Sequence, residues 1–190
     1  MLNELVLKNR SYRAFDESRP ISERDMRALV ELARFVPSGM NKQPLRYRIV
    51  STPDELAKMY ANSRYAAALS IKLPPEGQKP TGFIAILRDT EISSPEGLAL
   101  KDCGIAAQTI LLAAVEMGFG GCMLGSFDPA KLSADLSIPQ RYQPLLVLAL
   151  GTPSEQIVLE DAEDPSNVSY YRDAENQHHV PKRKLEDILL

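Results

Sequence analysis

Residues 101–126, KDCGIAAQTILLAAVEMGFGGCMLGS, form the most informative stretch of this chain. Between residues 105 and 115 the stretch is apolar except for Gln108 and Thr109. A helix on a protein surface has a single apolar stripe, whereas a helix that is apolar nearly all round is buried. The pattern therefore predicts a buried central helix, against which the other elements of the chain pack.

Glycines follow the predicted helix closely. Gly118 is expected to end it, because glycine adopts the left-handed conformation of a helix C-cap without steric cost. Gly120 and Gly121 are predicted to form a turn that leads to a second apolar run at residues 122–125. Two interpretations stay open: a core element that presents its backbone to a ligand, or a core helix with an ordinary C-cap.

The composition argues against several classes of protein. Of 190 residues, 44% are hydrophobic and 25% are charged, which is typical of a globular protein. The net charge of −3 leaves no basic footprint for nucleic acid. Cys103 and Cys122 form neither a disulfide framework nor a metal-binding spacing, so a reducing cytoplasm is the expected location. The N-terminal residues show no signal-peptide pattern, and residues 105–115 are too few to span a membrane.

Capping and turn residues divide the rest of the chain into short elements. Ser22 and Asp25 are predicted to begin a helix, and Thr52-Pro53-Asp54-Glu55 is typical of a capping box with proline at the first helical position. In chain order, the predicted elements are a helix at 2–8, a helix after Ser22 that Pro37 ends, a loop at 38–41, a strand at 43–50, a helix from 53 to about 69, a loop at 74–82, a strand at 83–87, a short helix after Asp128 that ends before Pro139, and a strand at 145–150.

The C-terminal region turns polar and loses periodicity between residues 152 and 177. It is therefore expected to run over a surface, such as that of a partner, rather than to close a core of its own. His178 and His179 are sequence neighbours, and neighbouring side chains in an extended segment point to opposite faces. A metal site formed by this pair is therefore not expected.

Three polar segments contain residues suited to an anionic, heterocyclic ligand. Residues 10–13 include two arginines and a serine, which bind phosphate well. Ser38, Asn41 and Gln43 both donate and accept hydrogen bonds, as the edge of a heterocycle requires. Residues 182–184 are basic and could reach the same phosphate if the fold brings the chain ends together. A solvated basic turn, an ordinary loop and a solvated basic run are the alternative interpretations.

Four segments, in order and over nearly the whole chain, resemble motifs of the nitroreductase family, the FMN-dependent flavoproteins. We refer to them as the first, second and third motifs and the C-terminal basic segment. They are Arg10-Ser11-x-Arg13-x-Phe15; Pro37-Ser38-x-x-Asn41-x-Gln43-Pro44; the buried helix with Gly118-x-Gly120 and Leu124-Gly125-Ser126-Phe127-Asp128; and His179-Val180-Pro181-Lys182-Arg183 followed by Leu185.

The resemblance implies an α+β fold in which a mixed, mainly antiparallel sheet is flanked by helices in three layers. It implies a single domain over residues 1–190, of which about 155–190 form a tail. It further implies a homodimer with the central helix at the interface, where the tail of each subunit wraps the other and adds to its sheet. Two FMN sites would lie at this interface, each built from both chains.

The resemblance also assigns FMN-binding residues to three parts of the cofactor, with no catalytic side chain and no metal. At the phosphate and ribityl chain it implies Arg10, Ser11 and Arg13, with Lys182 and Arg183 approaching the same phosphate; Tyr12 is also expected among the cofactor-binding residues. At the edge of the flavin ring it implies, from the other subunit, Ser38, Asn41 and Gln43. Leu124 would pack against the ring face, and the backbone N–H of Gly125 would point at flavin N5.

The implied activity is that of an oxidoreductase that uses NADH or NADPH in a ping-pong mechanism. Reduced nicotinamide would give a hydride to FMN N5, and a nitroaromatic, quinone or similar acceptor would then be reduced. Alternatives on the same scaffold are dehalogenation, flavin fragmentation, azoline oxidation, or flavin binding with little turnover; a helical-core domain without a cofactor also stays open. Residues 70–82 are too short for lid helices, and Gly125 replaces an acidic residue of some relatives, which leaves the substrate undefined.

Overall fold

The computed structural model describes residues 1–65 and 73–190, which form two compact units, Met1–Pro153 and Ser154–Leu190. The α-helices are α1 (Leu2–Lys8), α2 (Glu23–Ala33), α3 (Pro53–Asn62), α4 (Glu96–Glu116) and α5 (Pro129–Asp135), and short 3-10 turns lie at Gly39–Asn41 and Leu185–Asp187. The strands are β1 (Leu45–Val50), β2 (Gly82–Asp89), β3 (Gly120–Leu124), β4 (Tyr142–Gly151), β5 (Ile157–Asp161), β6 (Tyr171–Arg172) and β7 (His178–Lys182).

The first unit is built on a four-stranded sheet with the order β1-β2-β4-β3, in which all neighbours are antiparallel. A parallel bridge between Ser11 and Gly121 adds the N-terminal segment beside β3. The central strands β2 and β4 are the two longest apolar runs outside α4, and helices cover both of their faces. The predicted strands at 83–87 and 145–150 are confirmed, with a few more residues at their ends.

Helices pack on both faces of this sheet and complete three layers. On one face, α2 and α4 enclose a core with β2 and β4; Met26, Leu29 and Ile110 are fully buried there. On the other face, α3 and α5 enclose a second core, to which Met59 and Leu132 contribute. Burial of one such side chain contributes about 1.5–3 kcal/mol. The predicted three-layer α+β fold is therefore confirmed.

Helix α4 is the buried central helix that the sequence predicts. It begins at Glu96, earlier than the apolar run, with Pro95 as its N-cap residue, and it ends at Glu116. Gly118 follows in the left-handed region with a φ of 83°, as expected for a glycine C-cap. By length and composition, α4 is the one described helix that could cross a membrane, but half of its apolar stretch is buried in the first unit.

Gly120 and Gly121 do not form the predicted turn; they are the first residues of β3. Their lack of a side chain serves close packing instead. A Cβ atom on Gly120 would lie 2.6 Å from the ring of Tyr12, and one on Gly121 would lie 2.6 Å from the carbonyl oxygen of Ala149. The sequence pattern shows a pair of glycines but not the neighbours that demand them, which explains the wrong prediction.

The third helix is shorter than predicted. It ends at Asn62 because Ser63 turns to an extended conformation and forms a bridge with Phe127. The rest of the predicted helix, up to residue 69, lies mostly outside the described residues. The Thr52 side chain makes no capping hydrogen bond, so that part of the predicted capping box is wrong, whereas the Ser22 hydroxyl does accept from the Asp25 N–H.

The second unit contains a three-stranded sheet with the order β5-β7-β6, in which β5 and β7 are parallel and β6 and β7 are antiparallel. The prediction of an irregular segment at 152–177 is therefore wrong in part, since β5 and β6 lie within it. These strands are short and pair over a distance in sequence, so periodicity does not reveal them. Only Ala162 and His178 are buried between residues 154 and 190, in accord with the expected lack of a large core.

Candidate functional site

The first motif lies against the edge of β3, directly beyond the end of α4. Ser11 bridges to Gly121, and the backbone N–H of Tyr12 donates to the Gly121 carbonyl oxygen over 3.0 Å. The Tyr12 ring covers Gly120, and its hydroxyl donates to the Lys8 carbonyl oxygen over 2.9 Å. Backbone pairing and the tyrosine therefore fix the two flanking arginines, Arg10 and Arg13, in place beside the third motif.

Arg10 is the strongest indication of an anion site in the first motif. Its Nη2 donates to the Val6 carbonyl oxygen over 2.8 Å. Its Nε is buried, and no described residue provides it with a hydrogen-bond acceptor. Burial lowers the pKa of this guanidinium, with a smaller opposing effect of Tyr12. A buried donor without an acceptor is costly, so the atom is suited to an external acceptor such as a phosphate oxygen.

Arg13 and Ser11 complete the set of donors at this edge. Arg13 Nη1 donates to the Ser11 carbonyl oxygen over 3.3 Å. This long hydrogen bond keeps the Arg13 guanidinium group beside the backbone of the first motif. Ser11 lies between Arg10 and Arg13 in the sequence, and its side chain is exposed. Residues 10–13 therefore carry these donors on one short segment beside β3.

The second motif forms a loop tied to α4 through a buried carboxylate. The Ser38 hydroxyl donates to Asp102 Oδ2 over 2.6 Å, and the Gly39 N–H donates to Asp102 Oδ1 over 2.9 Å. The Gln43 N–H donates to the Ser38 hydroxyl oxygen over 2.9 Å. Sequence reasoning missed Asp102, although a carboxylate three residues before the apolar run of α4 was a signal that could have identified it.

The backbone of this loop has an unusual conformation. Met40, Asn41 and Gln43 have φ angles of 54°, 51° and 49°, in the left-handed region that residues other than glycine rarely adopt. The Gln43 side-chain amide donates to Asn41 Oδ1 over 3.0 Å, which orients both amides. Strained backbone of this kind is often found at binding sites, where the surroundings hold it in place.

A surface cavity of about 200 Å3 lies beside the loop. Ser38, Gln43 and Asp102 form part of its wall, together with Arg46 and Tyr47. Burial raises the pKa of Tyr47 to about 12, with smaller contributions from Cys103 and Asp102, so its hydroxyl stays protonated at neutral pH. The cavity wall thus combines two guanidinium groups, from Arg34 and Arg46, with the Asp102 carboxylate and several neutral hydrogen-bonding groups.

The end of β3 shows which side chains of the third motif are accessible. Leu124 is buried in the core between the sheet and the α3–α5 layer. Met123 points to the opposite face, as strand alternation requires, and is 38% exposed. A Cβ atom on Gly125 would meet no described atom within 4 Å, so its backbone borders open space. Besides the buried Asp102, the sequence prediction missed the accessible Met123, and alternation along β3 was the signal.

Within one chain, the first and second motifs lie near different ends of α4. Leu5 and Lys8, just before the first motif, line a cavity with Val115 and Glu116, whereas the second motif is bonded to Asp102. With a rise of 1.5 Å per residue, Asp102 and Val115 are about 20 Å apart along the helix. A single chain therefore does not bring the arginines and the Ser38–Gln43 loop into one small site.

The C-terminal basic residues belong to the second unit. Lys182 is the last residue of β7, and Arg183 donates from Nε to the Pro165 carbonyl oxygen over 2.9 Å; both side chains are exposed. Their approach to a phosphate at Arg10, like phosphate binding by Arg10 itself, stays a prediction. Among the described residues, no group of histidine, cysteine, aspartate or glutamate side chains is arranged to hold a metal ion.

His178 and His179 differ in their surroundings, as predicted for neighbours on a strand. His178 is buried, whereas His179 lies between two carboxylates, with Nδ1 3.0 Å from Glu160 and Nε2 3.0 Å from Asp173. The His179 ring also stacks on Tyr171. The hydrogen bonds to Asp173 and Glu160 raise the pKa of His179, so the cluster stabilises its doubly protonated form.

Sequence comparisons show which known proteins this chain resembles. The family model described as "Nitroreductase family" matches residues 6–88 and 82–152. A protein of Archaeoglobus fulgidus whose name includes NAD(P)H nitroreductase is 27% identical over 169 residues, which cover 86% of this chain and 92% of that protein. An oxygen-insensitive NADPH nitroreductase of Helicobacter pylori is 24% identical over 159 residues, which cover 68% of this chain and 76% of that protein.

Solved structures share the fold. A nitroreductase family protein of Streptococcus pneumoniae superimposes with a TM-score of 0.71 at 18% identity, covering 90% of this chain and all of that one. A Desulfovibrio desulfuricans protein solved in complex with FMN superimposes with a TM-score of 0.73 at 22% identity. The superposition covers 100% of this chain and 95% of that one. With the family model matching more than half of its residues, this chain belongs to the Nitroreductase family.

Proposed function

We propose that this protein is an FMN-dependent oxidoreductase that takes reducing equivalents from NADH or NADPH. The observation that carries the proposal is the buried Nε of Arg10, a cationic donor with no described acceptor, placed beside the strand that ends in the open backbone of Gly125. A phosphate bound at Arg10 Nε and a flat ring placed at the Gly125 backbone would match the two ends of FMN. The FMN complex of the D. desulfuricans protein and the nicotinamide specificity in the relatives' names support the same cofactors.

The residues present fit the phosphate end of this cofactor. Arg10 and Arg13 supply charge-assisted donors, and Ser11 supplies a neutral donor between them. Tyr12 holds their backbone on β3 and need not touch the cofactor itself. Lys182 and Arg183 are proposed to add positive charge at the same phosphate.

The fit extends to the ring. When bound, FMN supplies hydride acceptance from reduced nicotinamide and hydride donation to a second substrate. The backbone N–H of Gly125 is proposed to donate to the ring at N5, where a fixed donor stabilises developing charge. Met123, rather than the buried side chain of Leu124, is the apolar side chain exposed beside this position, and Leu124 supports the strand from below.

The protein's substrates are proposed to bind in turn. Oxidised nicotinamide leaves before the acceptor enters, so that one position over the ring serves both, in a ping-pong order. A nitroaromatic or quinone is the proposed acceptor class: the relatives' names favour the nitroaromatic, and the family resemblance adds the quinone. No side chain of this chain is needed as a nucleophile, and protons can come from water.

A homodimer is part of the proposal. Because one chain separates the first and second motifs along α4, the loop bearing Ser38, Asn41 and Gln43 is proposed to come from the partner subunit. The outer face of α4 is suited to such an interface: Leu100 and Ile105 are exposed there, and Gly104 leaves room for close approach.

An absorbance spectrum of the purified protein tests the proposal. The protein should be yellow, or become so when FMN is added, and the visible band should bleach on anaerobic addition of NADH or NADPH. Heat-treated protein mixed with the same FMN is the control for free flavin. A protein that stays colourless and takes up no added FMN would disprove the proposed function.

A further inference from the structure

Asp102 is a buried carboxylate to which the proposed chemistry gives no role. Its side chain is on α4 and only 3% exposed. Both of its oxygens accept hydrogen bonds from the second-motif loop, one from the Ser38 hydroxyl and one from the Gly39 N–H. A buried carboxylate is costly unless it is satisfied in this way. The carboxylate therefore ties this loop to the central helix.

The loop needs such a tie because its backbone is strained. Met40, Asn41 and Gln43 all have positive φ angles, a conformation that persists only when the surroundings hold it. Two hydrogen bonds close the loop on Ser38: the Asn41 N–H donates to its carbonyl oxygen over 2.8 Å, and the Gln43 N–H donates to its hydroxyl oxygen. Leu98 of α4 packs within 3.3 Å of the Cβ position of Gly39, so the loop rests on the helix.

The hydrogen bonds of Ser38 define its role. A serine hydroxyl has one proton to donate, and Ser38 gives it to Asp102 over a short 2.6 Å bond. Its oxygen accepts from the Gln43 N–H at the same time. Ser38 is thus a link between the carboxylate and the loop rather than a donor to a bound ring. Asn41 and Gln43, whose amides orient each other, are the side chains that this link positions.

We propose that Asp102 is a positioning residue that acts through Ser38 and Gly39. It holds the loop with Met40, Asn41 and Gln43 in the left-handed conformation and so fixes the Asn41 and Gln43 amides where the edge of a flavin would meet them. This inference rests on the proposed FMN function. Its test therefore needs one measurement that does not involve FMN and one that does.

The first measurement is amide hydrogen exchange of residues 38–43 without added FMN. Asp102→Ala should speed exchange of both the Gly39 and the Gln43 amides about tenfold or more, the effect of losing a hydrogen bond to a charged group. The Gln43 amide is decisive, because it is bonded to Ser38 and not to Asp102. Asp54→Ala, which removes an exposed carboxylate on α3, is the matched control and should leave both amides unchanged.

Two further variants keep the test valid if Asp102→Ala does not fold. Asp102→Asn keeps the shape and one acceptor oxygen, so it should loosen the loop less. Ser38→Ala removes the link to Asp102 but keeps the carboxylate and the Ser38 carbonyl group, so it should speed exchange at the Asn41 amide, which is bonded to that carbonyl oxygen. If the Gln43 amide in Asp102→Asn and the Asn41 amide in Ser38→Ala both exchange at the wild-type rate, Asp102 does not hold the loop and the inference is wrong.

The second measurement is the dissociation constant of FMN, titrated into each flavin-free variant. Asp102→Ala should weaken binding about tenfold, with Asp102→Asn in between and Asp54→Ala equal to wild type. A loosened loop with unchanged FMN affinity would overturn the positioning role and leave the proposed function intact. Failure of the wild-type protein itself to bind FMN would instead overturn the proposed function, and the exchange data would still show whether Asp102 holds the loop.

Discussion

Arg13 gives the most direct test of the proposed phosphate contact at the level of single residues. Arg13→Ala should weaken FMN binding by about 1.5–3 kcal/mol, because a charge-assisted hydrogen bond to phosphate is lost. An equilibrium titration followed by flavin fluorescence measures this. Arg24→Ala, an exposed arginine on α2, is the control for the loss of one positive charge. Unchanged affinity in Arg13→Ala would contradict the assigned role.

Gly121 in β3 and Gly125 just after it should respond differently to the same substitution. A Cβ atom on Gly121 would lie 2.6 Å from a backbone oxygen, so Gly121→Ala should destabilise the fold by about 1–3 kcal/mol. Gly125→Ala adds a methyl group into open space and keeps the N–H, so its free energy of unfolding should stay within about 0.5 kcal/mol of wild type. Urea denaturation measures both, and equal stability of the two variants would refute the packing argument.

At the level of elements, the β5-β7-β6 sheet depends on the charge of His179. This residue lies between Glu160 and Asp173, while Tyr171, whose pKa is raised by its hydrogen bond to Glu160, stacks on its ring. The carboxylates raise the pKa of His179 in the folded protein above its ordinary value of about 6.5. Its contribution to stability is therefore complete below about pH 6.5 and is lost as the pH rises through the raised folded value.

The same cluster has an acidic limit. The hydrogen bond to His179 lowers the pKa of Asp173, so this carboxylate contributes fully above about pH 4 and loses its contribution as the pH falls through the lowered value.

Urea midpoints measured between pH 6 and 9 test the contribution of His179 and should decline in the wild-type protein. In His179→Gln the decline should be much smaller, and an identical decline in both proteins would show that other groups cause it.

At the level of the whole molecule, the separation of the two polar motifs along α4 is the basis for the proposed homodimer. Ile105 is 42% exposed on the outer face of α4, and a charge placed there should prevent burial against a partner. We expect the wild-type protein to have twice the chain mass of 21.1 kDa in solution and Ile105→Glu to be monomeric. Light scattering after size-exclusion chromatography measures the mass.

Loss of the dimer should also abolish high-affinity FMN binding, because each site is proposed to use both chains. Ala134→Glu places the same charge on α5, in the opposite helix layer, and should change neither mass nor affinity. A wild-type protein that is monomeric and still binds FMN tightly would contradict the two-chain site.

Local chemistry accounts for what the sequence alone predicts correctly. The buried central helix, the Gly118 C-cap, the Ser22 cap and the two central strands follow from apolar periodicity and from the preferences of single residues. These properties act over a few neighbouring residues, so they can be read without knowing the fold. The same is true of the donors in the first motif, which are adjacent in the chain.

Only the tertiary structure shows which distant residues meet. Asp102 bonds to a serine 64 positions away, and Gly121 is a glycine because a carbonyl group from β4 lies against it. Met123 rather than Leu124 is accessible because of the face on which the α3–α5 layer packs. The pairing of β5 with β7 likewise joins segments with no shared local pattern. Such contacts depend on how whole elements pack, and residue preferences within a short window carry no information about that packing.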